Sequence, residues 1–312
     1  MVDFTGMDIL SGKQFTREGL DQILSAARGM DRLLRKQRSL DLLEGYVMGS
    51  LFFEPSTRTR LSFETAMHRL GGDVVGFAQA GTSSVAKGES LNDTIRTVNQ
   101  YVDVIVIRHP EIGSAKQAAG VSRVPVLNGG DGAGQHPTQA LLDLFTIQEE
   151  RGQVDGHTIA LCGDLKNGRT VHAGVELYKH YDCKLIFVAP EALKMPAEIT
   201  KRLQGEGVEV EETASLEAAL GSADVLYMTR IQKERFEDPA EYERLKGSYV
   251  LTREMVERLN PDLTIMHPLP RVNEIEVVVD DLPGAAYFRE ARNGVPVRMA
   301  LLALVLGKVE GV

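Results

Sequence analysis

The sequence predicts an α/β chain of two doubly wound parallel-sheet domains with the active site in the crevice between them. Three observations carry this. Apolar runs of strand length alternate with helical patterns in two successive series, and such alternation builds parallel sheets covered by helices on both faces. At 312 residues and 43% hydrophobic content, the chain has material for two domains of roughly 150 residues each. The polar residues of chemical interest all follow predicted strands or the connections after them, where open parallel sheets bind ligands. The first domain is placed at 1–135 and the second at 136–292, with a C-terminal helix of about 293–312 packing back onto the first.

Residues 16 to 43 open the chain with a helical spacing (Leu20, Ile23, Leu24, Ala27, Met30, Leu34), Thr16 as N-cap and Glu18 in the first turn. Val47 to Phe53 is an apolar strand, and Phe63, Ala66, Met67 and Leu70 mark the helix after it. Gly71-Gly72 ends that helix, Asp73 to Ala78 reads as a strand, and Gln79 to Ser90 has turn composition. A helix from Leu91 to Tyr101, a strand from Val102 to Ile107, a helix from Ser114 to Ala119 and a strand from Val124 to Leu127 complete the first series. Asn128 to Gln135 reads as a glycine-rich loop, and His136-Pro137-Thr138-Gln139 then opens a long amphipathic helix.

The second series has strands Thr158 to Cys162, Lys184 to Val188, Val208 to Glu211, Val225 to Met228 and Leu263 to Met266. Helices Thr170 to Tyr181, Ala197 to Gln204 and Leu216 to Leu220 separate the first four. Arg230 to Tyr249 is densely charged and reads as a surface excursion. A helix from about Val295 to Leu306 closes the chain, apolar enough to need cover on most sides.

The stretch around which the chain is organised is Phe52-Phe53-Glu54-Pro55-Ser56-Thr57-Arg58-Thr59-Arg60, a strand, a tight turn and a helix start. Its first turn presents backbone N–H groups, hydroxyls and two guanidinium groups. Positive charge there opposes the helix dipole unless an anion compensates it, so a phosphate is expected in place of an ordinary cap with solvated arginines.

Composition limits the partners. The net charge of -9 offers no general attraction to nucleic acid or anionic membrane, so neither is expected, and any anion site must come from local arginines. Met1-Val2-Asp3-Phe4 has no basic, apolar leader pattern, and the longest apolar run, Met299 to Leu306, is far below membrane-spanning length; a cytoplasmic protein is expected. Cys162 and Cys183 form no C-x-x-C pair and have no histidine at ligand spacing, so reduced, packed thiols are expected. Gly163-Asp164-Leu165-Lys166-Asn167-Gly168-Arg169-Thr170 has P-loop spacing, but Arg169 stands where the lysine belongs, and Gly130, Gly132 and Gly134 lie too late for a dinucleotide fingerprint. No nicotinamide, flavin or other cofactor is expected, and no metal, since carboxylates do not cluster.

Ser56-Thr57-Arg58-Thr59-Arg60 resembles the carbamoyl phosphate signature of the aspartate/ornithine carbamoyltransferase family. Val85-Ala86-Lys87-Gly88-Glu89-Ser90, Arg230 and Gln232 in Tyr227 to Arg235, and His267-Pro268-Leu269-Pro270-Arg271 resemble its aspartate branch. The ornithine branch has a cysteine where Pro268 stands, and Arg230 would repel ornithine's cationic side chain. A non-catalytic paralogue predicts losses among the transition-state donors, and none is visible. The resemblance covers essentially the whole chain.

It implies transfer of the carbamoyl group from carbamoyl phosphate to the amine of L-aspartate, in pyrimidine biosynthesis, with residues 1–135 binding carbamoyl phosphate and 136–292 binding aspartate. By the same resemblance Ser56, Thr57, Arg58, Thr59 and Arg108 hold the phosphate, and Thr59, Arg108 and His136 stabilise the oxyanion. Gln139 and the carbonyls around Pro268 and Leu269 recognise the carbamoyl amide, while Arg169, Arg230, Gln232 and Lys87 take the aspartate carboxylates. The family forms trimers in which this loop's Ser83 and Lys87 reach the adjacent subunit's site. Association with regulatory chains or another pyrimidine-pathway enzyme is left open. The chemistry asks for the same residue types: the substrates together bring about four negative charges, which only a cationic site accommodates.

Overall fold

The structure, a computed structural model, describes residues 1–79, 88–231 and 238–309. It divides into two compact units, Met1–Phe145 with Arg292–Val312, and Thr146–Ala291.

In the first unit α1 (Arg17–Lys36) begins at Thr16, whose hydroxyl accepts the Gly19 N–H. Then come β1 (Val47–Phe52), α2 (Thr57–Arg69), β2 (Asp73–Phe77), α3 (Leu91–Val98), β3 (Val104–His109), α4 (Ser114–Ala119) and β4 (Val126–Asp131). The four strands are parallel in the order β2-β1-β3-β4. Burial sorts them as their sequences suggest. The near-continuous apolar β1 and β3 lie in the middle, while β2, largely exposed, forms an edge. The other edge is covered, because Ile9 runs beside β4, donating to the Val126 carbonyl at 2.9 Å and accepting from Asn128 N–H at 2.8 Å.

β4 continues through Asn128, Gly129 and Gly130 to Asp131, residues that composition assigns to a loop. The reason is tertiary: β3 and the Ile9 segment supply partners for this backbone on both sides, and a bulge between Ile107 and His109 adjusts the register.

In the second unit α5 (Pro137–Arg151) is followed by β5 (Thr158–Cys162), α6 (Arg169–Tyr178), β6 (Lys184–Val188), α7 (Ala197–Gly205), β7 (Glu209–Thr213), α8 (Leu216–Leu220), β8 (Val225–Met228), α9 (Pro239–Leu245), α10 (Arg253–Leu259), β9 (Thr264–Met266) and α11 (Tyr287–Val305). The division between the units falls within α5 and within α11. The second sheet is also parallel, ordered β7-β6-β5-β8-β9. Ala160, Cys162, Ile186, Leu226 and Ile265 from its strands pack with Leu216 and Leu220 of α8 and Val256 of α10. Both cysteines are buried and free. α11 starts well before the expected Val295 and carries Pro296 inside it. Burial along its length outweighs the one backbone bond that proline removes.

Each sheet reverses direction once. The chain builds outward from β1 to β2 and then returns to the other side with β3; likewise it runs β5, β6, β7 and returns with β8. The carboxyl ends of β1 and β3, and of β5 and β8, are therefore the topological switch points, where parallel sheets leave room for a ligand.

Candidate active site

At the first switch point Ser56 occupies the N-cap of α2, but its side chain makes no capping hydrogen bond. The N-cap side chains of α1, α3, α8, α9 and α10 (Thr16, Ser90, Ser215, Asp238 and Thr252) all do. Acidic residues open α1, α3, α7, α8 and α10, whereas the first turn of α2 has none and carries Arg58. Arg60 follows in the same turn. Its guanidinium lies 3.3 Å from Glu64 one turn on, an ion pair within the helix.

Thr57 and Arg58 are exposed and Ser56 half-buried, while Thr59 turns inward. Its hydroxyl stands 3.4 Å from Nε2 of His136, the residue before α5, and both are buried. Arg108, near the end of β3, places Nη2 2.6 Å from Glu54 and donates from Nη1 to the Gly129 carbonyl at 3.2 Å. A Cβ at Gly129 would stand 3.4 Å from the Thr59 methyl group. Burial pushes the Arg108 pKa down from its ordinary value, partly opposed by Glu54. Its Nε is buried and has no hydrogen-bond partner among the described residues. Gln139, in the first turn of α5, donates to the buried Asp143 at 2.8 Å, which fixes its amide. Residues from β1, α2, β3 and α5 thus gather at one sheet end.

The second unit repeats the device. α6 begins at Arg169, half-buried, after Gly168, with no side-chain cap and no acid in its first turn. The turn before it is tight. Gly163 has φ +124, and a Cβ there would meet the Thr229 carbonyl oxygen at 2.2 Å. The P-loop-like string is closed by its own carboxylate, since Asp164 accepts the Asn167 backbone N–H at 3.0 Å and its side-chain amide at 3.2 Å. Across the switch point the Thr229 N–H and hydroxyl both donate to the Cys162 carbonyl, and the half-buried Arg230 follows.

After β9, His267 is buried and organises the Pro268-Leu269 turn. Its backbone N–H donates to Glu290, its Nδ1 accepts the Leu269 N–H, and its Nε2 faces Glu274 at 2.7 Å. Burial drives the Glu274 carboxyl up, but the bonds it accepts outweigh this and hold it below its ordinary range. Arg271 is engaged by Asp280 and lies over the Tyr287 ring. Ser83, Lys87 and Gln232 lie outside the described residues. Glu54, Asp143, Glu274 and Glu290 are the supporting residues that sequence reasoning missed. Only Glu54, inside the organising motif, left a signal there.

Comparison with known proteins places both units of the chain among known families. The family model for the carbamoyl-P binding domain of aspartate/ornithine carbamoyltransferases matches residues 7–149, and that for the Asp/Orn binding domain matches 155–305. The aspartate carbamoyltransferase catalytic subunit of Thermococcus gammatolerans is 53% identical over 306 residues, covering 98% of this chain and 99% of that one. The catalytic subunit of M. jannaschii aspartate transcarbamoylase superposes with a TM-score of 0.90 at 50% identity, over 98% of this chain and 99% of that one. Aspartate transcarbamoylase from Trypanosoma cruzi, in complex with N-(phosphonacetyl)-L-aspartic acid, gives 0.93 at 44% identity over 98% of each chain. With both domain models matched in order and relatives aligned end to end, the chain belongs to the aspartate/ornithine carbamoyltransferase family.

Proposed function

We propose that the chain transfers the carbamoyl group from carbamoyl phosphate to the amine of L-aspartate, giving N-carbamoyl-L-aspartate and phosphate. The observation that carries this is the convergence of Thr59, Arg108 and His136 at the β1/β3 switch point, beside a helix that opens with Ser56, Thr57 and Arg58 and no acid.

The first unit binds carbamoyl phosphate. Ser56, Thr57, Arg58 and Thr59 with the α2 backbone, and Arg108, take the phosphate. Arg108 serves because Glu54 and Gly129 hold it at two nitrogens. Attack of the amine turns the carbonyl oxygen into an oxyanion, and Thr59, Arg108 and His136 are donors fixed before charge develops. Gln139 and the carbonyls of Pro268 and Leu269 recognise the carbamoyl NH2. The second unit binds aspartate, with Arg169 and Arg230, joined by Gln232 and Lys87, facing its carboxylates. The departing phosphate removes the amine proton, so no protein nucleophile or covalent intermediate is needed. A steady-state assay with carbamoyl phosphate and either aspartate or ornithine tests the reading. Carbamoyl aspartate should form, and turnover with ornithine alone, or with neither, refutes it.

The protein acts in the cytoplasm as a homotrimer whose sites are shared, Ser83 and Lys87 serving the neighbouring subunit. Mixing tests this. Inactive Arg58→Ala trimers, dissociated and reassembled with inactive Lys87→Ala trimers, yield rings in which one site draws both intact residues from different chains. Activity should return in part, and a mixture that stays inactive despite proven subunit exchange rejects the shared site.

A further inference from the structure

We infer that His267 is a positioning residue: as a neutral imidazole protonated at Nε2, it fixes the backbone of Leu269 and so sets where the Pro268 and Leu269 carbonyls meet the carbamoyl group. This rests on the function proposed above and deepens it at the recognition of one substrate group.

The argument begins with proton counting. The Leu269 N–H donates to Nδ1 at 2.8 Å. A ring nitrogen that accepts carries no proton, so the ring proton of the neutral imidazole sits on Nε2. Nε2 stands 2.7 Å from Oε1 of Glu274, an acceptor matched to that donor. Glu274 is itself anchored. Its Oε2 accepts the N–H groups of Val272 at 3.1 Å and Asn273 at 3.0 Å, and its carbonyl accepts the Leu251 N–H at 2.9 Å. The His267 backbone N–H is held by Glu290 at 2.8 Å. His267 is 2% and Glu274 6% exposed, so water does not compete for these bonds.

What this framework holds is unusual. Leu269 has φ 54, the one described non-glycine residue in the left-handed region. A leucine stays there only when its surroundings impose it, and such residues concentrate where a backbone group has a task. The bond from its N–H to Nδ1 is the imposing contact. The ring is thus a post between a rigid carboxylate and a backbone aimed at a ligand.

A purely structural role, satisfying the buried Glu274, engages the opposite end of the ring. The two roles separate because an amide side chain can imitate one ring nitrogen at a time. His267→Asn puts an oxygen where Nδ1 stands and keeps the acceptor for Leu269. His267→Gln reaches the place of Nε2 and keeps the donor to Glu274. Binding of carbamoyl phosphate and of inorganic phosphate is measured by calorimetry on each folded variant. Inorganic phosphate probes the anion tip alone, and carbamoyl phosphate adds the amide.

His267→Gln should weaken carbamoyl phosphate about 10-fold, as loss of well-placed hydrogen bonds does, and leave inorganic phosphate within about twofold. His267→Asn should keep the ratio of the two affinities near that of the unmodified protein. The inference is overturned if His267→Gln behaves as the unmodified protein, if His267→Asn is the more impaired, or if both ligands weaken equally. Should neither variant fold, protein labelled with 15N histidine and 15N leucine gives a direct reading. Coupling across the hydrogen bond from the Leu269 amide to a bare Nδ1 supports the inference, and its absence overturns it. A protein that binds both ligands yet forms no carbamoyl aspartate would fail the proposed function and leave this result standing.

Discussion

Gly163→Ala would separate the turn after β5 from the residue it supports. A Cβ at Gly163 would stand 2.2 Å from the Thr229 carbonyl oxygen and 2.6 Å from its hydroxyl. Ordinary carbon–oxygen contacts begin near 3.3 Å, so Thr229 must retreat by about 1 Å. The backbone conformation at φ +124 adds strain for any residue with a side chain, about 1–3 kcal/mol, and the forced displacement adds about 1–3 kcal/mol more. Together these lower the melting temperature by roughly 10 °C in a domain of this size. Thr229 carries two hydrogen bonds to the Cys162 carbonyl and immediately precedes Arg230, so the shift moves Arg230 with it. Misplacement of a binding group by 1 Å can cost on the order of 10²-fold. We expect kcat/KM for aspartate to fall by about that factor, while the KM for carbamoyl phosphate, whose proposed phosphate ligands lie on the other unit, stays within about twofold. Thermal unfolding gives the melting temperature, and steady-state kinetics, varying each substrate with the other saturating, gives the kinetic constants. An unchanged melting temperature, or an equal rise in both KM values, would refute the reasoning.

His136→Ala should leave a folded protein whose turnover falls on the order of 10²-fold or more, and unchanged turnover would remove His136 from the mechanism. Arg58→Ala should do at least as much harm, since in the proposed site it strips a charge-assisted contact from the leaving phosphate; a variant with near-normal kcat would contradict that. Arg230→Ala should weaken apparent aspartate affinity far more than carbamoyl phosphate affinity, and equal effects would withdraw Arg230 from the aspartate site. Burial pushes the Cys162 thiol far above its ordinary value and that of Cys183, with a smaller push from Asp155 and Asp182, up to about 12. Thiolate is therefore scarce at neutral pH, and a chromogenic disulfide reagent should react with neither cysteine until the protein is denatured. Rapid reaction of the native protein would mean that the burial is wrong.

The alternation of strand and helix was legible because each strand is a short apolar run that keeps its character in any context. β1 and β3 lie in mid-sheet as their near-continuous hydrophobicity requires. Where composition and tertiary contact disagreed, tertiary contact prevailed. Asn128, Gly129 and Gly130 have the composition of a loop, yet they form the end of β4 because β3 and the distant Ile9 segment both offer backbone partners. The closing helix was expected from about Val295, yet α11 starts at Tyr287 and runs through Pro296. Strand order lay beyond reach for the same reason, since it depends on which distant runs meet.

The candidate site was legible where its chemistry is local. A helix that opens with an arginine and no acid points to an anion from sequence alone, and α2 and α6 each have Arg58 or Arg169 in such a first turn. Arg60 pairs with Glu64 one turn on, a partner that the i, i+4 spacing already offered in the sequence. The carboxylates that hold the site together left almost no trace, because an acid's task depends on what the fold brings to it. Glu274 and Glu290 lie 7 and 23 residues from His267 and meet it only after β9, the loop and α11 are in place. Local charge therefore tells where a ligand binds, and long-range pairing tells what keeps the binding groups rigid. Only the fold supplies the second, so the residues whose replacement most sharply tests precision of placement are Gly163 and His267, which the motifs contain but to which they assign no role.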